Sequence, residues 1–414
     1  MANKILPQGY KDSPLGIIPK EWEVKRLGDI AEISSGTTPL RAKLIFYKNG
    51  IIHWVKTTDL NNGLLTNTEE LISKEALEQT SLKLLQKGTV LVAMYGGFNQ
   101  IGRTAILGIP ATINQALSAL VCKEHTKAKY VLEWLNFRVN DWKKLAASSR
   151  KDPNITRNDV AKFPIIIPPI CEQRAIIAVL QLWDTAIEKQ SELIAKLKLR
   201  KRALMQQLLT GKKRLPGFSG EWKRVSLKSF ATEVSVKNKE NKNYNVLSCT
   251  KYDGLVPSLE YFGKQIYSND LGNYKIVPMH HFAYATNHIE EGSIGYQSKY
   301  EYGLISPMYT VFKTDKDVID DIFLFAVLKS HHLTYLYQSM MEGSINRRGG
   351  IRWDSFSTIK IDLPPLNEQK AISAFLKDAD KEIELANEKL ARLQSQKRGL
   401  MQQLLTGKKR IIHK

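Results

Sequence analysis

The sequence predicts an α+β protein in which two globular domains alternate with two long helices that pack on each other. Three observations support this fold class: a near-identical repeat, a heptad pattern ahead of each copy of that repeat, and short apolar runs in the segments between. The predicted division is a first globular domain at 1–168, a helix at 169–214, a second globular domain at 215–364 and a second helix at 365–414.

The repeat is the most informative feature of the chain. The segment Lys201–Arg214 recurs as Lys397–Arg410 with one difference, and the offset of 196 residues continues upstream from Pro168-Pro169 to Pro364-Pro365. A period this long far exceeds that of solenoid repeats and indicates a duplicated half-protein. Each half is therefore expected to perform the same task.

Each helix carries an apolar seam with alternating steps of four and three residues. Eight of ten seam positions are apolar in the first copy and nine of ten in the second, which is typical of a coiled-coil helix. The seam residues predicted to pair the helices are Ile176, Leu180, Trp183, Ile187, Ile194, Leu197, Leu204 and Leu208, and Ile372, Leu376, Ile383, Leu390, Leu393, Leu400 and Leu404. One such stripe alone could pack on its own domain, but two matching stripes favour packing of the helices on each other.

Proline and glycine set the ends of both helices. Prolines precede each start, and Thr210-Gly211 and Thr406-Gly407 follow each seam, where glycine readily takes the left-handed cap. Each helix should therefore have about 40 residues and a length of roughly 60 Å. The Gly-Lys-Lys-Arg sequences that follow have two possible roles. Their cations either contact phosphates or remain solvated and interact favourably with the negative C-terminal end of the helix dipole.

The segments between the helices read as short strands, loops and some helix. Examples are the apolar run Gly88–Tyr95 and the pair of runs from Ile276 to Ala285, with helices expected over Tyr130–Leu145 and Asp320–Met341. Weakly matched positions in the two halves, such as Trp54–Thr58 with Leu247–Lys251 and Ile113 with Ile305, indicate one scaffold that carries two different surfaces.

Charge and composition limit the partners. The 61 Lys and Arg against 41 Asp and Glu give a net charge of +20, which favours an anionic partner, nucleic acid ahead of acidic membrane. No run approaches the roughly 18 apolar residues that span a bilayer, and no signal-peptide pattern opens the chain, so a cytoplasmic protein is expected. The three scattered cysteines predict neither disulfide nor zinc site, and should be reduced and mostly buried.

Polar loops in both halves are candidates for contact with DNA, because Arg, Asn and Gln suit hydrogen bonding to base edges. The same residues are also ordinary in solvated loops. The candidates are Lys56, Thr57, Tyr95, Asn99, Gln100, Arg103, Ser149, Arg150, Lys151 and Asn154 in the first half, and Lys251, Tyr252, Asn287, Tyr296, Gln297, Lys299, Asn346, Arg347 and Arg348 in the second.

Patterns typical of catalysis are lacking in the sequence. The glycines from Gly96 to Gly102 do not have the spacing of a dinucleotide-binding loop, and the histidine pairs His280-His281 and His331-His332 have no metal-binding spacing. The sequence therefore predicts neither a catalytic residue nor a metal site.

The chain resembles the specificity subunits of type I restriction-modification systems. The resemblance rests on Pro168-Pro169 with Glu172-Gln173 before a helix that ends at Leu208–Gly211, on the same set from Pro364 to Gly407, and on Leu215–Phe218 leading to Glu221-Trp222. It covers essentially the whole chain.

The resemblance implies a non-catalytic subunit. Each globular domain would be a target-recognition domain for one half of an interrupted site in double-stranded DNA. An antiparallel helix pair would set the spacing and dock two adenine-N6 methyltransferase subunits, with restriction subunits as further partners. S-adenosylmethionine and ATP would bind those partners, and this chain would hold no cofactor. Two alternatives remain open: a stand-alone nuclease and a coiled-coil scaffold that does not touch DNA.

Overall fold

A computed structural model describes residues 6–97, 99–147, 154–251, 253–342 and 350–411. The chain forms two compact units. The first contains residues 1–191 and 388–414, and the second contains residues 192–387. Each unit thus takes the beginning of one long helix and the end of the other.

The first unit is built from short strands and helices before the first long helix. The strands are β1 (Tyr10–Lys11), β2 (Ile18–Pro19), β3 (Glu23–Arg26), β4 (Ala31–Ser35), β5 (Ile52–Val55), β6 (Leu64–Leu65), β7 (Glu70–Ile72), β8 (Val90–Ala93), β9 (Thr104–Leu107), β10 (Ala111–Ile113), β11 (Leu117–Cys122) and β12 (Pro164–Ile167). The helices are α1 (Leu27–Ile30), α2 (Lys74–Glu78), α3 (Ala128–Phe137), α4 (Val139–Ala147), α5 (Arg157–Lys162) and the long α6 (Ile170–Leu208), with 3₁₀ turns at Leu44–Phe46 and Thr57–Asp59.

The second unit has a similar order of elements, with fewer strands among the described residues. Its strands are β13 (Lys223–Ser226), β14 (Ala231–Val234), β15 (Asn245–Thr250), β16 (Gly254–Pro257), β17 (Lys275–Pro278), β18 (Phe282–Ala285), β19 (Ile294–Tyr296), β20 (Tyr302–Ile305), β21 (Tyr309–Thr314) and β22 (Lys360–Leu363). Its helices are α7 (Ser258–Phe262), α8 (Asp321–Leu328), α9 (His331–Glu342), α10 (Trp353–Phe356) and the long α11 (Leu366–Leu405), with 3₁₀ turns at Leu227–Ser229 and Ile289–Glu291.

The sheets show that the two units share one topology. The order β4-β11-β8-β9 in the first matches β14-β21-β18-β19 in the second, and the parallel pair β10-β5 matches β20-β15. In both units a strand just before the long helix pairs with one near the start of the domain, as β12 with β3 and β22 with β13. The predicted α+β fold class with two globular domains and two long helices is confirmed.

The strand registers correct one match between the halves. In the first unit Val55 pairs in parallel with Ile113. In the second unit Val246 pairs in parallel with Leu304, so the next residues along the two strands, Leu247 and Ile305, lie side by side. When Ile113 is equated with Ile305, Val55 therefore corresponds to Leu247. The sequence comparison had placed Trp54 there, one residue out of register, which would exchange the two faces of the strand.

The long helices run antiparallel within each unit. In the first unit Lys397 Nζ donates to Asp184 Oδ1 at 2.6 Å, and Arg410 pairs with Glu172. Residue numbers therefore increase in opposite directions along the two paired helices. The second unit repeats both pairs, at an offset of 196, as Lys201 with Asp380 and Arg214 with Glu368.

The predicted seam residues lie on the covered side of both helices. Ile176, Leu180 and Leu404 belong to the core of the first unit, and Leu208, Ile372 and Leu376 belong to that of the second. Most residues between the seam positions are exposed. The remaining seam residues are buried or half-buried: Trp183, Ile187, Ile194, Leu197, Leu204, Ile383, Leu390, Leu393 and Leu400.

Both helices end as the glycines predict. Gly211 and Gly407 take φ values of +66° and +71°. Their surroundings differ, because a β-carbon on Gly407 would lie 2.4 Å from Pro19 Cδ, whereas one on Gly211 would lie 3.5 Å from the Trp222 ring. The cap of α11 is the more tightly packed of the two.

Two expectations about local structure were wrong. The helices expected over Tyr130–Leu145 and Asp320–Met341 are each broken in two, as α3 and α4 and as α8 and α9. At the second break the Ser330 hydroxyl accepts a hydrogen bond from Leu333 N and so starts a new helix. Of the cysteines, which carry free thiols, Cys249 is buried and Cys122 half-buried, but Cys171 is exposed.

Candidate nucleic-acid interface

Several candidate residues of the first unit meet at one edge, where β5 and β8 end. Thr57 follows β5 and Tyr95 follows β8, and a β-carbon on Gly96 would lie 3.3 Å from both Thr57 Oγ1 and Gln100 Cβ. Ile155 N donates to Met94 O at 2.9 Å, which brings Asn154 to the same edge. We call this surface the first edge.

Charged candidates on the first edge are bonded within the unit. Lys56 Nζ lies 2.8 Å from Glu69 and 2.7 Å from Glu70. The guanidinium of Arg103 donates to Gln100 Oε1 at 3.1 Å and also to the carbonyl of Leu60. These bonds fix the shape of the edge.

Among the described residues, the first edge also presents neutral polar groups. Asn99 and Asn154 are exposed, and Tyr95 is half-buried. Burial raises the pKa of the Tyr95 hydroxyl, so that it stays protonated at neutral pH and can donate a hydrogen bond.

The second unit builds the corresponding edge with the same backbone bond. Ile351 N donates to Thr286 O at 3.0 Å, and both residues hold the places of Ile155 and Met94. Gly350 has a φ of +62°, and a β-carbon there would lie 2.4 Å from Thr286 O. Only glycine fits this close approach without strain. Asn287 lies on this second edge, beside Thr286.

A pocket of about 480 Å³ opens on the second edge. Its lining consists of Glu233, Lys275, Thr286, Asn287, Pro307, Met308, Tyr309, Thr310, Arg352, Trp353 and Asp354. Lys275 does not offer a free charge, because its Nζ donates to Tyr309 O at 2.6 Å. Burial lowers the pKa of Lys275.

Three candidates of the second unit lie elsewhere. In the antiparallel pair of β18 and β19, Tyr296 faces Phe282, at the opposite end of β18 from Asn287. Lys299 is exposed near that far end. Gln297 is only 2% exposed, and its Oε1 accepts from Lys299 N at 3.1 Å. Tyr296, Gln297 and Lys299 therefore do not share one surface with Asn287, and their contact with DNA stays a prediction.

Lys251 lies at the same end of the sheet as Asn287. It is exposed, and its backbone carbonyl accepts a hydrogen bond of 2.7 Å from Lys329 Nζ, which also donates to Gly292 O. The other candidates fall outside the described residues: Ser149, Arg150, Lys151, Tyr252, Asn346, Arg347 and Arg348.

Sequence reasoning missed two lining residues of the pocket, Arg352 and Trp353. A signal for them was present, because Ile351 matches Ile155 at the offset of 196, and Arg352 follows it directly.

One group of potential cation ligands occurs in the part of the chain that the structure describes. Ligand atoms of His288, Glu290 and Glu291 lie within 4.8 Å of one another. His288 Nδ1 is 3.4 Å from Glu291 Oε1, so the two form an ion pair when the imidazole is protonated. Among the described helices, none is long and apolar enough to cross a membrane.

The comparison with protein families decides the affiliation. Residues 19–199 and 220–395 each match the family described as type I restriction modification DNA specificity domain. The chain belongs to this family. The two matches fall on the two halves of the duplicated chain, and the predicted resemblance to type I specificity subunits is confirmed.

Individual relatives carry the same description. A putative type I restriction enzyme MjaX specificity subunit of Methanocaldococcus jannaschii is 25% identical over 438 residues, covering 98% of this chain and 97% of that protein. The EcoR124I/EcoR124II specificity subunit of Escherichia coli is 29% identical over 187 residues, 44% of this chain and 46% of that protein. The chain thus spans about half the length of that relative.

Solved structures show the same fold. One match is a structure solved to explain complex assembly and conformational transition of the type I R-M system. Its TM-score is 0.61 at 17% identity, and the match covers 94% of this chain and 99% of that one. The S subunit from M. genitalium matches with a TM-score of 0.51 at 13% identity, covering 93% and 96%. The chain therefore shares its fold with these two structures.

Proposed function

We propose that this specificity subunit binds double-stranded DNA and that each unit reads one half of a bipartite, interrupted sequence. The observation that carries the proposal is the pair of equivalent edges. Both are anchored by the same backbone bond, Ile155 to Met94 and Ile351 to Thr286, yet they present different side chains. One scaffold with two different surfaces suits two different half-sites.

Charge supports a nucleic-acid partner. The net charge of +20 would draw the chain to phosphates, and each phosphate contact releases counterions. Affinity for DNA should therefore fall steeply with salt. We assign part of the reading of bases to the amides of Asn99, Asn154 and Asn287, because amide groups can form hydrogen bonds with base edges.

The helix pair is proposed to set the spacing between half-sites and to dock two methyltransferase subunits. Each helix begins in one unit and ends in the other, so it ties the two reading domains together. Leu182, Leu199 and Leu385 are more than half exposed on the helices and offer apolar contacts to such partners.

The chemistry would reside in the partners. S-adenosylmethionine would bind the methyltransferase subunits and ATP the restriction subunits, and this chain would act in the cytoplasm beside the DNA. The subunit would thus supply sequence selection and no reaction.

The test is selection of duplexes from a random library by the purified chain with its candidate methyltransferase. We expect enrichment of one split sequence with a fixed gap, and a steep loss of binding between about 0.05 and 0.2 M salt. Retention without sequence preference would contradict the proposal. No DNA affinity with the methyltransferase bound would favour a coiled-coil scaffold.

A further inference from the structure

The two units differ sharply at one equivalent position of their edges. Ile155 and Ile351 are both buried, and the backbone N of each donates to the residue that directly follows β8 or β18. The next residue is Thr156 in the first unit and Arg352 in the second. In both units this residue directly precedes a short helix, α5 or α10.

Thr156 is engaged in holding its helix. Its Oγ1 accepts from Asp159 N at 3.2 Å, and its backbone N donates to Asp159 Oδ2 at 2.8 Å. This reciprocal pair is a capping box, which satisfies backbone groups that the helix leaves unpaired. Thr156 therefore has a structural task.

Arg352 has no such task. Its side chain makes no capping hydrogen bond, and arginine is a poor residue for this position. The side chain is exposed and forms no salt bridge with any residue within the described ranges. A residue that breaks a local rule without a structural gain is a mark of function.

The pocket around Arg352 has fixed walls. The Trp353 ring packs with centroid distances of 5.4 Å to Phe312 and 6.0 Å to Phe356. The single hydroxyl proton of Thr286 can be donated to either of two acceptors, Asn287 Oδ1 at 3.2 Å or Met308 O at 3.1 Å. Asn287 and Met308 both line the pocket, so Thr286 links two parts of its wall.

The charges of the pocket favour a base over a phosphate. Glu233 and Asp354 line it beside Arg352, and both are exposed carboxylates that would repel a phosphate group. The edge of a base is neutral. The guanidinium fork matches the O6 and N7 acceptors of guanine, and this bidentate pair is the commonest specific contact in the major groove.

We propose that Arg352 is a specificity-determining residue that reads a guanine in the half-site of the second unit, with Asn287 held beside it. The inference rests on the proposed function, because it requires that the second edge face DNA. It assigns the base class at one position and makes Thr156, its counterpart, a structural residue.

The experiment compares Arg352→Lys and Arg352→Ala with the unaltered chain, each in complex with the candidate methyltransferase. The probes are the selected split duplex and variants with each guanine of one half-site replaced. Discrimination at a single guanine should fall by about 5- to 150-fold in both variants, with preferences in the other half-site unchanged. Lysine keeps the positive charge and loses the planar guanidinium fork. Arg352→Lys therefore separates the effect of the charge from that of the bidentate hydrogen bonds.

Controls keep the outcome decisive. Thr156→Val should lower the melting temperature and leave the base preferences in the half-site of the second unit unchanged. If Arg352→Ala keeps full discrimination at every guanine, or weakens binding to all sequences equally, Arg352 does not read a base and the inference is overturned while the proposed function stands. If the unaltered complex shows no sequence preference, the proposed function fails and the inference fails with it.

Discussion

Arg410 and Glu172 are joined by two hydrogen bonds, from Nε to Oε1 at 3.0 Å and from the guanidinium to Oε2 at 2.9 Å. The indole of Trp22 donates a third bond to Glu172, at 2.9 Å. The residues that follow α11 thus hold the first turn of α6 to the start of the domain. The second unit repeats the arrangement with Arg214, Glu368 and Trp222.

Arg410→Ala should destabilise the first unit by about 1–3 kcal/mol, because the Glu172 carboxylate, whose side chain is 5% exposed, loses its charged partner. Urea unfolding of the full chain measures the change. Lys409→Ala is the control, since Lys409 is exposed and should shift the free energy of unfolding by less than about 0.5 kcal/mol. Equal effects of the two substitutions would show that the Glu172 pair contributes no net stability.

Lys397 and Lys201 occupy the same seam position but should differ in importance. Lys397 Nζ lies 3.1 Å from Glu133, whose side chain is 2% exposed, and 2.6 Å from Asp184. Lys201 pairs with Asp380, whose side chain is 61% exposed.

Lys397→Met should therefore cost about 2 kcal/mol, since the buried Glu133 loses one of its two charged partners among the described residues and keeps Lys129. Lys201→Met should cost about 0.5 kcal/mol or less. Chemical denaturation of both variants gives the comparison. A larger loss for Lys201→Met would refute this assignment of the two lysines.

The two helix caps should also respond unequally. Alanine at Gly211 must adopt the left-handed conformation, at about 1 kcal/mol. Alanine at Gly407 adds a clash with Pro19, so we expect a total of about 3 kcal/mol. Melting temperatures of Gly407→Ala and Gly211→Ala test the order, and equal values would mean that Pro19 moves aside freely.

Much of the fold was predictable because the signals were local. The seam and its glycine ends follow from helical periodicity and from the conformational freedom of glycine. The position of Gln297 was not predictable, because it depends on the antiparallel register of Phe282 with Tyr296, a tertiary pairing. The second helix break was missed because apolar residues occur on both sides of Lys329-Ser330. The break depends on the Ser330 cap and on the tertiary hydrogen bond from Lys329 to Thr250 O.

Thiol labelling should single out one cysteine. Burial raises the pKa of the Cys122 thiol to about 11 and that of Cys249 to about 12, so both stay protonated at pH 8 and react slowly. Cys171 is exposed. A chromogenic disulfide reagent should modify one thiol rapidly, and Cys171→Ser should remove that phase. Rapid modification of two or three thiols in the folded chain would contradict the burial of Cys122 and Cys249.

The most direct test of the central claim is single-molecule mapping of N6-methyladenine in DNA from cells that express this chain with its candidate methyltransferase. The account predicts a split motif that depends on this chain, and exchange of residues 215–364 for those of another specificity subunit should change one half of the motif only. Two results would contradict independent reading by the two units: the same methylation pattern with and without this chain, or an exchange of residues 215–364 that changes both halves of the motif.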